Sequence, residues 1–131
     1  MSEYAKPDYW FDSAEYDSQT AKAMLETKRY LYLGFSCHQT IEKALKGVFV
    51  AAHPDEDLPH IHRLVRLANL SGITDELSDE QLALLDTLNP VNIEARHSLH
   101  KELLLKSLTP EKYTELIRET DAMVEWLKTK L

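Results

Sequence analysis

One arginine and two histidines lie close together toward the C-terminal end of the sequence, at Arg96, His97 and His100. A guanidinium group presents a planar fork of donors that suits phosphate, and an imidazole takes up or releases a proton near neutral pH. Metal-free cleavage of RNA needs both groups, because an imidazole activates the ribose 2′-hydroxyl while a cation stabilises the charge on phosphorus. In a helix Arg96 and His100 share one face. The alternative interpretation is a helix end that only carries basic residues.

A second group of polar residues, Gln39, Glu42, Lys43 and Lys46, has the spacing of one side of a helix. One interpretation is a solvent-exposed face with an ion pair between Glu42 and Lys46. The other interpretation pairs one of the lysines with Asp17 of the preceding helix, so that these residues line a cleft between the two helices. The sequence alone leaves both interpretations open.

The six histidines do not form a recognisable metal-binding pattern. His60 and His62 could bring two imidazoles together, as could His97 and His100, but no cysteine pair and no His-Glu-x-x-His sequence accompanies them. The sequence also lacks a glycine-rich phosphate-binding loop and a nucleophile elbow. We therefore predict neither a metal site nor a bound cofactor.

The composition predicts a soluble cytoplasmic protein of one domain. The 131 residues, 44% of them hydrophobic, suffice for a single domain over residues 1–131 with its own core. Cys37 is the only cysteine, so no disulfide forms within the chain and a reducing compartment is expected. No stretch is apolar enough to span a membrane. The net charge of −7 argues against broad affinity for nucleic acid but allows a local basic site.

Hydrophobic residues recur with the period of an α-helix along most of the chain, and no convincing strand pattern interrupts them. We predict long helices over residues 7–28 and 30–52. A short third helix is expected to begin near Ile61 and to end at Gly72, which can take the left-handed conformation that closes a helix.

The remainder of the chain carries two further helix starts. Ser78 and Gln81 form a capping box at the start of a fourth helix, and Pro90 either kinks that helix or begins a new one. Thr109 followed by Pro110 predicts the start of the last helix. Amphipathic helices with short connections predict an all-α, up-and-down bundle of about five helices. Their broad apolar stripes favour a homodimer.

Five short motifs follow one another along almost the whole chain: Tyr9-Trp10 with Ala14 and Asp17, Cys37-His38-Gln39-Thr40-Ile41-Glu42-Lys43-Ala44-Leu45-Lys46, His62-Arg63-Leu64 with Leu67, Leu88-Asn89-Pro90 leading to Ile93-Glu94-Ala95-Arg96, and Glu125-Trp126-Leu127. In this order they resemble the HEPN family, the higher eukaryotes and prokaryotes nucleotide-binding domain. The ordered set is more specific than any one of its members.

The resemblance implies a helical bundle that dimerises, so that the arginine motifs of two subunits meet across a cleft. Many members of the family are ribonucleases, often toxins paired with a nucleotidyltransferase antitoxin, and their motif separates an arginine from a histidine by four to six residues. Arg96 matches that arginine, but only three residues separate it from His100. The resemblance also places Asp17 and Glu42 near the cleft.

Two functional hypotheses follow. The first is an RNA-binding protein or metal-independent ribonuclease in a toxin–antitoxin pair with a nucleotidyltransferase, with Arg96, His97 and His100 as its catalytic residues. The second is a non-catalytic module that binds nucleotides or a partner protein, which the short spacing and the net acidity favour. Both hypotheses expect the same residues to line the cleft or bind the ligand: Asp17, Gln39, Glu42 and Lys46.

Overall fold

The computed structural model describes residues 6–94 and 109–131, and these residues form helices without any strand. In chain order the structure contains α1 (Pro7–Glu26), α2 (Tyr30–Ala52), α3 (Leu64–Leu70), a short 3₁₀ helix (Thr74–Glu76), α4 (Asp79–Glu94) and α5 (Pro110–Lys128). The predicted all-α bundle is therefore confirmed. Within the two described ranges, no helix has the length and apolar character needed to cross a lipid bilayer.

Helix α2 is the centre of the bundle, because each of the other four α-helices contacts it. Of its 23 residues 16 are buried, so apolar packing surrounds it on almost every side. Its fully buried side chains include Leu33, Ile41 and Leu45. A helix buried in this way carries its polar residues into the interior as well, and this placement creates the site described below.

Helices α1 and α2 approach each other closely at Gly47. A Cβ atom at this position would lie 2.7 Å from the ring of Phe11 and 3.3 Å from the Cβ atom of Trp10. Glycine therefore allows the two backbones to pack at a distance that alanine would not permit without a shift. The close approach places the α1 residues Trp10 and Asp17 beside the charged residues of α2.

The predicted helix caps are confirmed. The Thr109 hydroxyl accepts a hydrogen bond from the backbone N–H of Lys112 at 3.3 Å. At the start of α4, the N–H of Ser78 donates to Oε1 of Gln81 at 2.9 Å and the N–H of Gln81 donates to Oγ of Ser78 at 3.1 Å. Gly72 has φ +77°, as expected for the residue that closes the turn after α3.

Helix α1 ends at Glu26, two residues earlier than predicted. The N–H of Arg29 donates to the carbonyl of Met24 at 2.8 Å, and Lys28 has φ +60°. These features are those of a Schellman motif, which satisfies the last carbonyl groups of a helix. The prediction ran past this point because the left-handed residue is a lysine and not a glycine.

Helix α3 begins at Leu64 and not near Ile61, because a side chain of α4 caps it from outside. The backbone N–H of Leu64 donates to Oδ1 of Asn89 at 3.0 Å. Helix α4 itself continues through Pro90 to Glu94, so Pro90 does not begin a new helix. The hydrogen bond from Leu64 to Asn89 thus holds the first residue of α3 against the C-terminal half of α4.

Candidate functional site

The three predicted catalytic residues, Arg96, His97 and His100, lie outside the described residues. The described part of α4 ends at Glu94, two residues before Arg96. The structure does describe all the residues that were expected to line the cleft: Asp17, Gln39, Glu42 and Lys46.

The buried carboxylate of Glu42 joins α2 to the segment before α3. Its Oε2 accepts a hydrogen bond from Nζ of Lys46 at 3.0 Å, and its Oε1 lies 3.1 Å from Nδ1 of His62. Glu42 is 3% exposed and Lys46 is 9% exposed, whereas 58% of the His62 side chain is exposed. The three groups therefore form a line that runs from the interior to the surface and ends at His62.

The interpretation of a solvent-exposed face is wrong for Glu42 and Lys46, although the ion pair between them is present. Both side chains are buried because α2 is surrounded by the other helices. Taking ions out of water costs free energy that is recovered only when each charge has close partners. Here both oxygens of Glu42 have a partner, and the Lys46 ammonium also lies 5.7 Å from the centre of the Trp10 ring.

His38 lies one turn before Glu42 on α2 and is fully buried. Its Nδ1 is 3.9 Å from Oε1 of Glu42, too far for a hydrogen bond, and neither ring nitrogen has a hydrogen-bond partner among the described residues. Burial lowers the pKa of His38 to about 4, and the nearby Glu42 carboxylate and the His62 backbone oppose this effect only in part. His38 is consequently a neutral imidazole near pH 7, packed behind Glu42.

A second ion pair ties α1 to α2. Nζ of Lys43 lies 2.6 Å from Oδ2 of Asp17, and both side chains are partly buried. This contact confirms that a lysine of α2 pairs with Asp17, while the lining of a cleft by these residues stays a prediction. Gln39, one turn before Lys43, is also partly buried. The two ion pairs thus start from adjacent residues of α2, Glu42 and Lys43, whose side chains leave the helix in different directions.

Two exposed arginines follow His62 along the chain. Arg63 and Arg66 make no ion pair with any residue that the structure describes. Several other exposed or partly exposed cations are paired with carboxylates, such as Lys22 with Asp121, Lys128 with Glu125, and Lys130 with Glu76. Lys28, Arg29 and Lys112 are exposed and, like Arg63 and Arg66, make no ion pair with a described residue. The start of α3 therefore carries uncompensated positive charge in a chain whose net charge is −7.

Cys37 is not a nucleophile in this fold. The residue is buried, and burial raises the pKa of its thiol to about 12, whereas reactive cysteines are accessible and have a lowered pKa. Among the described side chains, no group of three or more His, Cys, Asp and Glu residues is arranged to hold a metal ion. The chemistry of the described site rests on imidazole, carboxylate and guanidinium groups.

Sequence spacing contained no sign of the contact between His62 and Glu42, because the two residues are 20 positions apart. The regular spacing of four residues between His38, Glu42 and Lys46 was a usable signal that these three side chains share one face of α2. That signal does not reveal whether the face is buried.

Comparison with models of protein families matches residues 7–130 to the HEPN domain. The match extends from the first residue of α1 to beyond the end of α5, so it includes every helix of the bundle. No curated protein and no solved structure shows a significant match to this chain.

Proposed function

The chain belongs to the HEPN domain family, and on that premise we propose that it binds RNA and cleaves it without a metal ion. The observation that carries the proposal is the surface at the start of α3, where the Glu42–His62 pair reaches solvent beside the unpaired Arg63 and Arg66. An acidic protein needs such a local cationic surface to bind a polyanion, because affinity for phosphate comes from clustered Lys and Arg side chains.

Helix α4 contacts the start of α3 and leads, along the sequence, to the arginine motif. Its Asn89 caps α3 at Leu64, and Arg96 follows Asn89 by seven residues. In the proposal Arg96 is the cation that binds the scissile phosphate and stabilises the charge that develops on it. His97 and His100 are the imidazoles that accompany this arginine in the sequence.

The four expected cleft residues have two roles in the proposal. Glu42 and Lys46 form the buried end of the line that reaches His62. Asp17 fixes α1 against α2 through Lys43, and Gln39 lies one turn before that ion pair. These residues therefore support the RNA-binding surface, while the guanidinium groups contact phosphate.

The test of catalysis is cleavage of total RNA by the purified protein in EDTA. We expect the wild-type protein to cleave and Arg96→Ala to lose about 10²–10³-fold in rate, the cost of removing one group that stabilises transition-state charge. Arg118→Ala is the matched control, because Arg118 is an exposed arginine on α5 that pairs with Glu115. A folded Arg96→Ala variant that cleaves as fast as the control would contradict the proposal.

RNA binding is tested separately at the start of α3. If Arg63 and Arg66 each contact one phosphate of a single strand, the Arg63→Ala/Arg66→Ala variant binds more weakly. The slope of log K against log salt concentration then falls by about 1.4, from about 0.7 for each phosphate contact. Fluorescence anisotropy with a labelled RNA measures this slope. An unchanged slope would remove these arginines from the RNA-binding surface.

The second candidate is a non-catalytic module that binds nucleotides or a partner protein. It is favoured by the three-residue separation of Arg96 from His100 and by the net charge of −7. A ligand that binds only the folded state raises the melting temperature by mass action. This candidate therefore predicts stabilisation by nucleotides together with no cleavage of RNA in the same preparation.

We further propose that the protein acts in the cytoplasm as a homodimer and pairs with a nucleotidyltransferase as one half of a toxin–antitoxin system. The arginine motifs of two subunits would then share one cleft. Light scattering after size-exclusion chromatography tests the dimer, and co-purification with a nucleotidyltransferase encoded next to it tests the pair. A monomer at micromolar concentration would contradict the shared cleft.

A further inference from the structure

The exposed imidazole of His62 is held by a buried carboxylate, and this arrangement suits proton transfer. We propose that His62 is the general base of RNA cleavage and that Glu42 is its positioning residue. The inference rests on the proposed ribonuclease function and supplies the imidazole that the shortened spacing between Arg96 and His100 leaves unassigned.

The geometry around Glu42 determines which nitrogen of His62 carries a proton. Nδ1 lies 3.1 Å from Oε1 of Glu42, while Oε2 is occupied by the Lys46 ammonium at 3.0 Å. A carboxylate paired with a cation can only accept hydrogen bonds, so Nδ1 of His62 is the donor. The lone pair of a neutral imidazole is then on Nε2, which makes no hydrogen bond with any described residue.

The burial of Glu42 allows it to fix the orientation of the His62 imidazole. Glu42 is 3% exposed, so water does not compete for its oxygens, and the imidazole is oriented by a fixed partner. His53 and Glu56 offer a useful contrast, because they too form an imidazole–carboxylate pair but the side chain of Glu56 is 63% exposed. A solvated carboxylate holds its partner weakly.

His38 is the other imidazole near Glu42, and it is excluded by its position. It is fully buried on the inner side of Glu42. Its side chain therefore has no access to a substrate as large as RNA. His62, in contrast, lies at the surface and directly precedes the unpaired arginine Arg63.

The reaction exchanges one bond to phosphorus and has the net effect of moving one proton from the ribose 2′-oxygen to the 5′-oxygen that leaves. Neutral His62 accepts the proton of the ribose 2′-hydroxyl on Nε2 while the 2′-oxygen forms a bond to phosphorus. The bond from phosphorus to the 5′-oxygen of the next nucleotide breaks, and that oxygen takes a proton from water. The imidazolium, stabilised meanwhile by Glu42, returns its proton to the resulting hydroxide. The products are a 2′,3′-cyclic phosphate and a 5′-hydroxyl.

The experiment compares the wild-type protein, His62→Ala and His60→Ala in EDTA on one labelled RNA. His60 is the matched control, because it is an exposed histidine two residues away that makes no hydrogen bond, ion pair or ring contact with a described residue. We expect His62→Ala to lose about 10²–10⁴-fold in cleavage rate, the usual contribution of a general base. We expect added imidazole to restore part of the activity that His62→Ala loses, while the RNA affinity of this variant stays near that of the wild type. The cleavage rate of His60→Ala should also stay near that of the wild type.

A second comparison separates positioning by Glu42 from a structural role. Glu42→Gln should lower kcat with little change in KM, since the carboxylate acts on the imidazole and not on RNA. Introduced into the His62→Ala background, the same substitution should have no further effect, because residues that act as a unit are not additive. Independent losses that multiply in the double variant would overturn the role of Glu42.

Each remaining outcome separates this inference from the proposed function. If the wild type cleaves, Arg96→Ala does not and His62→Ala stays within threefold of wild type, the ribonuclease stands and the inference fails. Loss of activity in His62→Ala without any rescue by imidazole also overturns the inference, because it indicates a structural effect. If the folded wild-type protein does not cleave RNA at all, both the ribonuclease and the general base are refuted.

Discussion

The buried imidazole of His38 makes the stability of the fold depend on pH. Its pKa is about 4 in the folded protein, against 6.5 for an ordinary histidine, because burial disfavours the charged form. As the pH falls below 6.5, the unfolded chain binds a proton that the folded protein does not. The stability associated with a neutral His38 is therefore intact above pH 6.5 and is lost progressively as the pH falls toward 4.

The magnitude follows from the same two values. At about 1.36 kcal/mol per pH unit, the full loss below pH 4 is about 3.4 kcal/mol. Between pH 7 and pH 5 the loss attributable to His38 is about 2 kcal/mol, since the folded protein remains mostly unprotonated at this residue over that range. This amount is a large fraction of the free energy of unfolding of an ordinary domain, which is about 5–15 kcal/mol.

The variant His38→Leu removes this pH-dependent contribution to the free energy of unfolding. Leucine has no titrating group and no polar nitrogen to leave unpartnered, so the variant should be at least as stable as wild type at pH 7. Urea unfolding of both proteins at pH 7, 6 and 5 gives the difference in free energy at each pH. We expect the free energy of unfolding of the variant, relative to that of the wild type, to rise by about 2 kcal/mol between pH 7 and pH 5. A difference that does not change with pH would refute the argument that His38 is neutral and buried.

Three further substitutions test the packing and the caps by urea unfolding at pH 7. Gly47→Ala should cost about 1–3 kcal/mol, because its Cβ would lie 2.7 Å from the Phe11 ring; a cost near zero would contradict the close approach of α1 and α2. Asn89→Ala should cost about 1–2 kcal/mol, because the N–H of Leu64 loses its acceptor. Thr109→Ala should cost about 1 kcal/mol through loss of the α5 cap, and an unchanged midpoint would exclude that cap.

Local rules predicted the starts of α4 and α5, which local residues control. The capping box of Ser78 and Gln81 and the Thr109 cap involve residues three positions apart, so the sequence contained all the information needed. The start of α3 depends instead on Asn89, which comes from a different helix. Spacing within a segment cannot reveal such a contact, and the prediction placed that start too early.

The site shows the same division between local and long-range information. The polar side of α2 was predicted from helical spacing, and the pairing of one of its lysines with Asp17 was one of two interpretations that the sequence left open. The burial of Glu42 and Lys46 depends on every helix that surrounds α2. The contact of Glu42 with His62 depends on the path of the chain between α2 and α3, which no periodic pattern specifies. Arg96, His97 and His100 remain predictions.

We propose that this HEPN-family protein cleaves RNA through its own side chains. The most direct measurement is the identity of the new 3′ end when a defined RNA is incubated with the protein in EDTA, beside the same RNA carrying a single 2′-deoxynucleotide at the cleaved position. We predict that the wild-type protein leaves a 2′,3′-cyclic phosphate on the first RNA and does not cleave the second RNA at that position. Arg96→Ala should cleave neither RNA there. Intact RNA after incubation with the folded wild-type protein, or equal cleavage by Arg96→Ala, would contradict the claim.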